Sequence, residues 1–221
     1  MKVAIVLFPG TNCEQDTKYA FELLGCQTQI IWHKESEINA DLIVLPGGFS
    51  YGDYLRTAAI AKFSPAMNAA RKHAQKGGYV LGICNGFQML CELKLLAGAM
   101  RRNENLSFIS KYHYLKVVSN ANKFLSNLSV GEVVNIPIAH GEGNFYASDD
   151  TLKSLYDNDQ VLLKYCDANG APLNPNGSVD AIAGICDKSK KIFGLMPHPE
   201  RACEKFLGTD DGLRMLKGLV C

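Results

Sequence analysis

The sequence predicts an α/β fold: a mostly parallel central sheet with helices on both faces, and an antiparallel or mixed extension in the second half. Three observations predict it. Strand-like apolar runs alternate with helix-like segments up to about residue 98, the pattern of successive βα units. Those runs are apolar almost throughout, as in "ADLIVLPGG" and "YVLGI", which is what strands buried on both faces require. Beyond residue 98 the strand-like segments crowd together with little helix between them, which favours antiparallel pairing.

Taken in order, "KVAIVLF" (2–8) reads as a strand rich in β-branched residues. "PGTNCEQDT" reads as a loop, and "KYAFELLG" as a helix closed by Gly25. "TQIIW" and "ADLIVLPGG" are the next strands, the latter stopped by Pro46-Gly47-Gly48. "LRTAAIAKFSPAMNAARKHAQKGG" is expected to be helical, with a break near Pro65. "YVLGI" is a fourth strand, and "FQMLCELKLLAG" a helix ending at Gly98. In the second half, "LSFISKYHYLKVVS", "GEVVNIPIA", "QVLLKYC", "SVDAIAGICD" and "KKIFGLM" are strand-like. "GAPLNPNGSVD" looks like a hairpin connection. "TDDGLRMLKGLV" closes the chain as a helix capped by Thr209 or Asp210.

The 221 residues suffice for one large domain, and no linker, repeat or low-complexity tract divides them, so 1–221 is read as a single domain. Apolar content is 47%, charged content 20% and net charge +1. That balance gives no electrostatic argument for nucleic acid or an anionic membrane, and neither partner is expected. No apolar run reaches the roughly 18 residues of a membrane span. The start, "MKVAIVLFPG", reads better as a first strand than as a signal peptide. Eight cysteines are present, none spaced C-x-x-C and none in a zinc pattern with a histidine. No metal site is expected, most thiols should be small core residues, and a reducing cytoplasmic setting is expected.

The chemistry concentrates at "YVLGICNGFQML" (79–90). Gly82-Ile83-Cys84-Asn85-Gly86 has the form of a nucleophile elbow: strand, sharp turn, nucleophile, helix. The flanking glycines leave room for neighbouring backbone. The N-terminal dipole of the following helix favours thiolate over thiol at Cys84. The backbone N–H of Asn85 is placed to meet a developing oxyanion. A buried thiol at a strand end is the competing reading of Cys84.

A cysteine nucleophile needs a base, and the base an orienting group. Two histidines carry a carboxylate two residues on, His140 with Glu142 and His198 with Glu200. In extended backbone either glutamate could hold its own ring. Pro197 and Pro199 stiffen "MPHPER", which suits a preorganised pair. Gly141 and Gly143 make "AHGEGNF" flexible, with accessible backbone groups that suit a substrate clamp. His198 and Glu200 are therefore favoured as the catalytic pair, with His140 and Glu142 lining the site. The glycines of "LPGGFSYGDYLR" follow a parallel strand, where α/β proteins bind ligands, and a glycine N–H there could complete an oxyanion hole with Asn85. This segment lacks both P-loop and G-x-G-x-x-G spacing, so ATP or dinucleotide binding by this chain is not expected.

The "GICNG" elbow, the upstream "PGG" and the late "HPE" together resemble the class I, triad-type glutamine amidotransferases, whose fold is flavodoxin-like. "FPGTNCEQD", "PGGFSYGDYLR", "CNGFQML", "PIAHGEGNF", "NPNGS" with "IAGI", and "MPHPER" follow in order from about residue 8 to 201. Within the family they resemble the stand-alone glutaminase subunits of a multi-protein purine-biosynthetic synthase. The resemblance implies that Cys84 attacks the glutamine side-chain amide, that His198 shuttles protons and that Glu200 holds its tautomer. It implies an oxyanion hole from Gly48 (or Gly47) and Asn85. It also implies glutamine contacts from Gly47, Gln88 and the His140-Gly141-Glu142 segment. The implied partners are a synthetase subunit and a small third subunit. ATP and magnesium are implied only on the synthetase, and no cofactor in this chain. The chain departs from the family's usual Gly-Ala step after "GDYLR", having "TAAIAK". A small adjustment of the helix entering from Arg56 is expected there. Arg56 itself reads as a structural or solvated arginine rather than a partner contact. The competing assignments are an amidotransferase of another pathway, a relative of the cysteine-elbow chaperone and peptidase-like group, and a non-catalytic interaction subunit on the same fold.

Overall fold

A computed structural model describes residues 1–220. Its strands are β1 (Lys2–Leu7), β2 (Gln27–Trp32), β3 (Leu42–Leu45), β4 (Tyr79–Ile83), β5 (Ala99–Arg101), β6 (Ile109–Val117), β7 (Val133–His140), β8 (Asn144–Tyr146), β9 (Val161–Cys166), β10 (Ile182–Cys186) and β11 (Ile192–Leu195). Its helices are α1 (Glu14–Leu23), α2 (Pro65–Gln75), α3 (Asn85–Glu92), α4 (Asp149–Asp157) and α5 (Asp211–Val220).

Nine strands form one sheet in the order β2-β1-β3-β4-β11-β10-β9-β6-β7. From β2 to β11 every neighbour is parallel, and from β11 to β7 every neighbour is antiparallel. The expected parallel centre with an antiparallel extension is therefore present. Right-handed crossovers set the helix layers. The β1-α1-β2 unit steps one way along the sheet and β3-α2-β4 the other, so α1 and α2 cover opposite faces. β5 and β8 make a separate two-stranded ribbon. One continuous apolar core joins both regions, from Val3, Ile5 and Leu42 to Ile136, Leu163 and Ile185.

Some element boundaries differ from expectation, each for a physical reason. α1 starts at Glu14, inside the stretch read as a loop. Thr17 Oγ1 there bonds to the Cys13 carbonyl, so a cap-type residue serves the first turn from within the helix. Residues 55–64 are not helical: Leu55 and Ala58 have positive φ, and only a 3₁₀ turn forms at Ala61–Phe63. Pro65 starts α2 rather than breaking a longer helix, with the Ser64 hydroxyl accepting the Met67 N–H. α3 ends at Glu92, with Lys94 at φ +59°, well before Gly98. α4, capped by Ser148, was not legible in the strand-like second half. The Thr209 hydroxyl accepts the Asp211 N–H at the start of α5. "GAPLNPNGSVD" does connect the antiparallel β9 and β10. All seven described cysteines are buried and free; Cys221 lies outside the described residues.

Candidate active site

The loops after β1, β3, β4 and β11 meet at the carboxyl ends of the parallel strands, where open α/β sheets bind ligands. β4 and β11 are direct neighbours, with Ile83 opposite Leu195. The residue after each strand end is thereby brought to the same edge of the sheet. Cys84 N–H donates to the Leu195 carbonyl at 2.8 Å, which locks the elbow to β11.

Cys84 has φ 51° and ψ −107°, a left-handed conformation costing a non-glycine residue roughly 1–3 kcal/mol. The neighbouring glycines make the turn sterically feasible. A Cβ at Gly82 would lie 2.6 Å from Gly86 O, and one at Gly86 would collide with the Leu45 carbonyl. Helix α3 can therefore rise directly over the ends of β3 and β4. Cys84 Sγ lies 3.7 Å from Ala139 O at the end of β7.

His198 and Glu200 are both buried, and His198 Nδ1 stands 2.6 Å from Glu200 Oε1. The backbone is not extended as expected. Pro199–Arg201 forms a 3₁₀ turn, and that turn brings the carboxylate back to the ring. His198 N–H is anchored on Pro137 O at 2.8 Å. Burial opposes the imidazolium, yet the Glu200 carboxylate and then the Cys84 and Cys13 sulfurs hold His198 well above the usual histidine range. His198 Nε2 is buried without a hydrogen-bond partner.

The second His-x-Glu motif does not pair. β7 ends at His140, so Glu142 lies beyond the strand and no longer shares its face. Glu142 instead accepts from the Thr57 hydroxyl and faces Arg102 at 3.7 Å. His140 Nδ1 stands 3.1 Å from Asn103 Oδ1. Asn103 Nδ2 already donates to the Ser107 and His140 carbonyls, so its Oδ1 must accept, from the Gly143 N–H and from His140. That network fixes the proton of His140 on Nδ1. Burial, then the His198 charge, pushes His140 down to about 4.

The expectation of a flexible 140–143 segment with accessible backbone is corrected by these bonds. Gly141 O accepts from Asn103 N–H, and Gly143 O from Asn176 Nδ2 and Ser178 Oγ. A Cβ at Gly143 would collide with the His140 ring. The glycines serve close packing rather than mobility. Asn103, 0% exposed, is the hub of this segment and was missed in the sequence. Its only signal there is a polar residue in a charged loop, "RRNEN".

Gly47 packs against His198 and Cys13, since a Cβ there would lie 2.6 Å from His198 Cε1 and 3.1 Å from Cys13 Sγ. Gly48, at φ 148°, lies against the Gly10–Asn12 loop. Asn85 is 1% exposed; its Oδ1 accepts the Ser50 N–H and its Nδ2 donates to Gln88 Oε1. Gln88 Nε2 donates to the Glu142 carbonyl at 2.8 Å. Both ends of the Gln88 amide are thus engaged, tying α3 to the 140–143 segment. Arg56 makes a two-pronged pair with Glu92 at 3.0 and 2.6 Å, the structural reading expected of it.

The model of the CobB/CobQ-like glutamine amidotransferase domain matches residues 1–209. A Campylobacter jejuni protein named phosphoribosylformylglycinamidine synthase subunit PurQ is 67% identical, over 100% of this chain and 96% of its own length. A protein of the same name from Sulfurimonas denitrificans is 61% identical, over 100% of this chain and 99% of its own. Among solved structures, a chain of PurLQS from Thermotoga maritima superposes with a TM-score of 0.90 at 38% identity, covering 99% of this chain and 97% of that one.

Proposed function

Because the chain belongs to the CobB/CobQ-like glutamine amidotransferase family, we propose that it is the glutaminase subunit of phosphoribosylformylglycinamidine synthase, acting as one amidotransferase domain. Its full-length likeness to proteins of that name supports the reading. It frees ammonia from L-glutamine for the amidation of formylglycinamide ribonucleotide in purine biosynthesis. Its partners are a synthetase subunit and a small third subunit, in an assembly like PurLQS of Thermotoga maritima. ATP is consumed on the synthetase, and the work is done in the cytoplasm.

The observation that carries the chemistry is the strained Cys84 elbow facing a buried His198–Glu200 pair. The Cys84 thiolate attacks the glutamine side-chain carbonyl carbon. The oxyanion that forms takes hydrogen bonds from the Asn85 and Gly48 backbone N–H groups. Protonated His198 donates to the amide nitrogen, the C–N bond breaks, and ammonia leaves a γ-glutamyl thioester. Water then attacks the thioester while neutral His198 takes its proton, and glutamate leaves as the C–S bond breaks. Glu200 keeps the Nδ1 proton in place, so Nε2 faces the reaction. Gln88 and the 140–142 segment shape the glutamine pocket through the contacts described above.

The assembled complex containing Cys84→Ala tests this. Amidine formation from glutamine should be lost, while formation from added ammonia persists. Glutamine hydrolysis by purified Cys84→Ala chain would overturn the assignment.

A further inference from the structure

The mechanism leaves one buried sulfur unused. Cys13 Sγ, a ring nitrogen of His198 and a carboxylate oxygen of Glu200 all lie within 4.8 Å of one another, and all three residues are buried. No spacing rule could have shown this group, because Cys13 follows β1 while His198 and Glu200 follow β11.

We propose that Cys13, His198 and Glu200 form a binding site for a thiophilic divalent cation of the zinc type, and that its occupancy switches glutamine hydrolysis off. Binding stands on the cluster alone; the inhibition rests on His198 being the base of the proposed reaction.

Four observations carry the site. First, the donors match one metal class. Thiolate, imidazole and carboxylate are zinc ligands, whereas magnesium and calcium take oxygen. Second, the positions are held. Cys13 N–H bonds to Gly47 O at 3.3 Å, and His198 N–H to Pro137 O at 2.8 Å. Third, Glu200 Oε2 is buried with no donor to satisfy it, a costly arrangement that a cation would relieve. Fourth, the distances are of the right order. Ligand atoms roughly 2.0–2.3 Å from zinc stand roughly 3.3–3.8 Å apart, between the 2.6 Å of His198 Nδ1 to Glu200 Oε1, which would have to open, and the 4.8 Å that bounds the cluster.

The balance of charge is favourable. Cys13 loses its thiol proton and His198 loses one ring proton, both to solvent. Thiolate, carboxylate and a doubly charged ion then sum to zero in the buried site, with a water as fourth ligand. The ring nitrogen facing Glu200 now binds metal instead of a proton, and His198 can no longer cycle protons for Cys84.

Cobalt(II) reports on such a site through its thiolate charge-transfer absorption. The test uses the full chain with Cys84→Ala, so the nucleophile contributes no sulfur. The expected result is a thiolate–cobalt band that zinc displaces. It should vanish in Cys84→Ala/Cys13→Ser, with zinc affinity down at least about tenfold. It should persist in Cys84→Ala/Cys203→Ala, which removes the nearby thiol bonded to Pro199 O. Serine retains most of the volume at position 13, and a cooperative melt verifies that this variant folds. No band in Cys84→Ala, or an unchanged band without Cys13, overturns the proposal. In unsubstituted chain, zinc should inhibit glutamine hydrolysis and a chelator should restore it; inhibition equal in Cys13→Ser overturns the switch.

Discussion

Glu200 Oε1 sits 2.6 Å from His198 Nδ1, whereas Glu142, at the same sequence spacing from His140, turns away to Thr57 and Arg102. Two identical His-x-Glu patterns thus have different fates. After His198 a 3₁₀ turn folds the carboxylate back onto the ring. After His140 the strand ends, and an asparagine takes the place of the glutamate.

Replacing Glu200 by Gln keeps the shape and removes the charge. The largest influence on His198 is burial, which lowers it, and Glu200 is the first group that raises it. In Glu200→Gln the ring should titrate at lower pH than in the unsubstituted chain, as read from its NMR resonances. The kcat for glutamine should fall by about 10²–10⁴. An unmoved His198 titration would refute the electrostatic role given to Glu200.

The raised His198 value also fixes a direction for stability. A histidine more basic when folded than unfolded contributes stabilisation that is fully present below about pH 6.5 and is lost as pH rises through the folded value. Denaturant melts of the unsubstituted chain and His198→Gln should therefore converge at alkaline pH and differ most near pH 6. A constant difference across that range would contradict the linkage.

His140 behaves in the opposite sense. With its folded value at about 4, the ring stays neutral at physiological pH. Its contribution is present above about pH 6.5 and is lost as pH falls towards the folded value. Titration of the His140 ring by NMR should show no protonation between pH 7 and about 5. A midpoint near 6.5 would show that burial and the neighbouring His198 charge do not act on the ring.

Asn103→Ala removes the amide that serves His140, Ser107 and Gly143 together. Several buried groups lose their partners, so the loss of stability should be about 2–4 kcal/mol by chemical denaturation. With the 140–143 segment released, KM for glutamine should rise in the assembled complex. Asn103→Asp retains the acceptor for His140 and should recover part of the stability.

Asp53 offers a test of the loop beside Asn85. Burial and then Glu142 raise its carboxyl to about 6. A carboxylate made less acidic by folding costs stability as pH rises from its unfolded value through its folded one. Asp53→Asn should therefore raise the melting temperature at pH 7 and leave it little changed near pH 4. A lower melting temperature at both values would mean that the charge is needed where it stands.

Much of the fold could be read from local pattern. The boundaries of β4 follow from a fully apolar five-residue run, and the elbow from glycines flanking Cys84 at close range. The segment 55–64 could not be read this way. Its alanines and leucine favour helix, but Leu55 and Ala58 take positive φ, the first exposed and the second buried. α4 was hidden among strand-like neighbours because its apolar face is narrow; Leu155 is its only buried residue.

By itself, then, the sequence determined the parallel sheet and singled out the candidate nucleophile Cys84 and two candidate histidines, because periodicity, turn chemistry and residue type are local properties. The sequence favoured His198 with Glu200 as the pair; only the tertiary structure supplied the 3₁₀ turn that joins them, and showed that Asn103 fixes the tautomer of His140 and that Cys13 lies beside His198. Those facts depend on β4 lying beside β11 and on the β1 loop reaching the same sheet edge. Neighbours in the sheet are set by burial of the whole apolar surface at once, and no short stretch of chain carries that information.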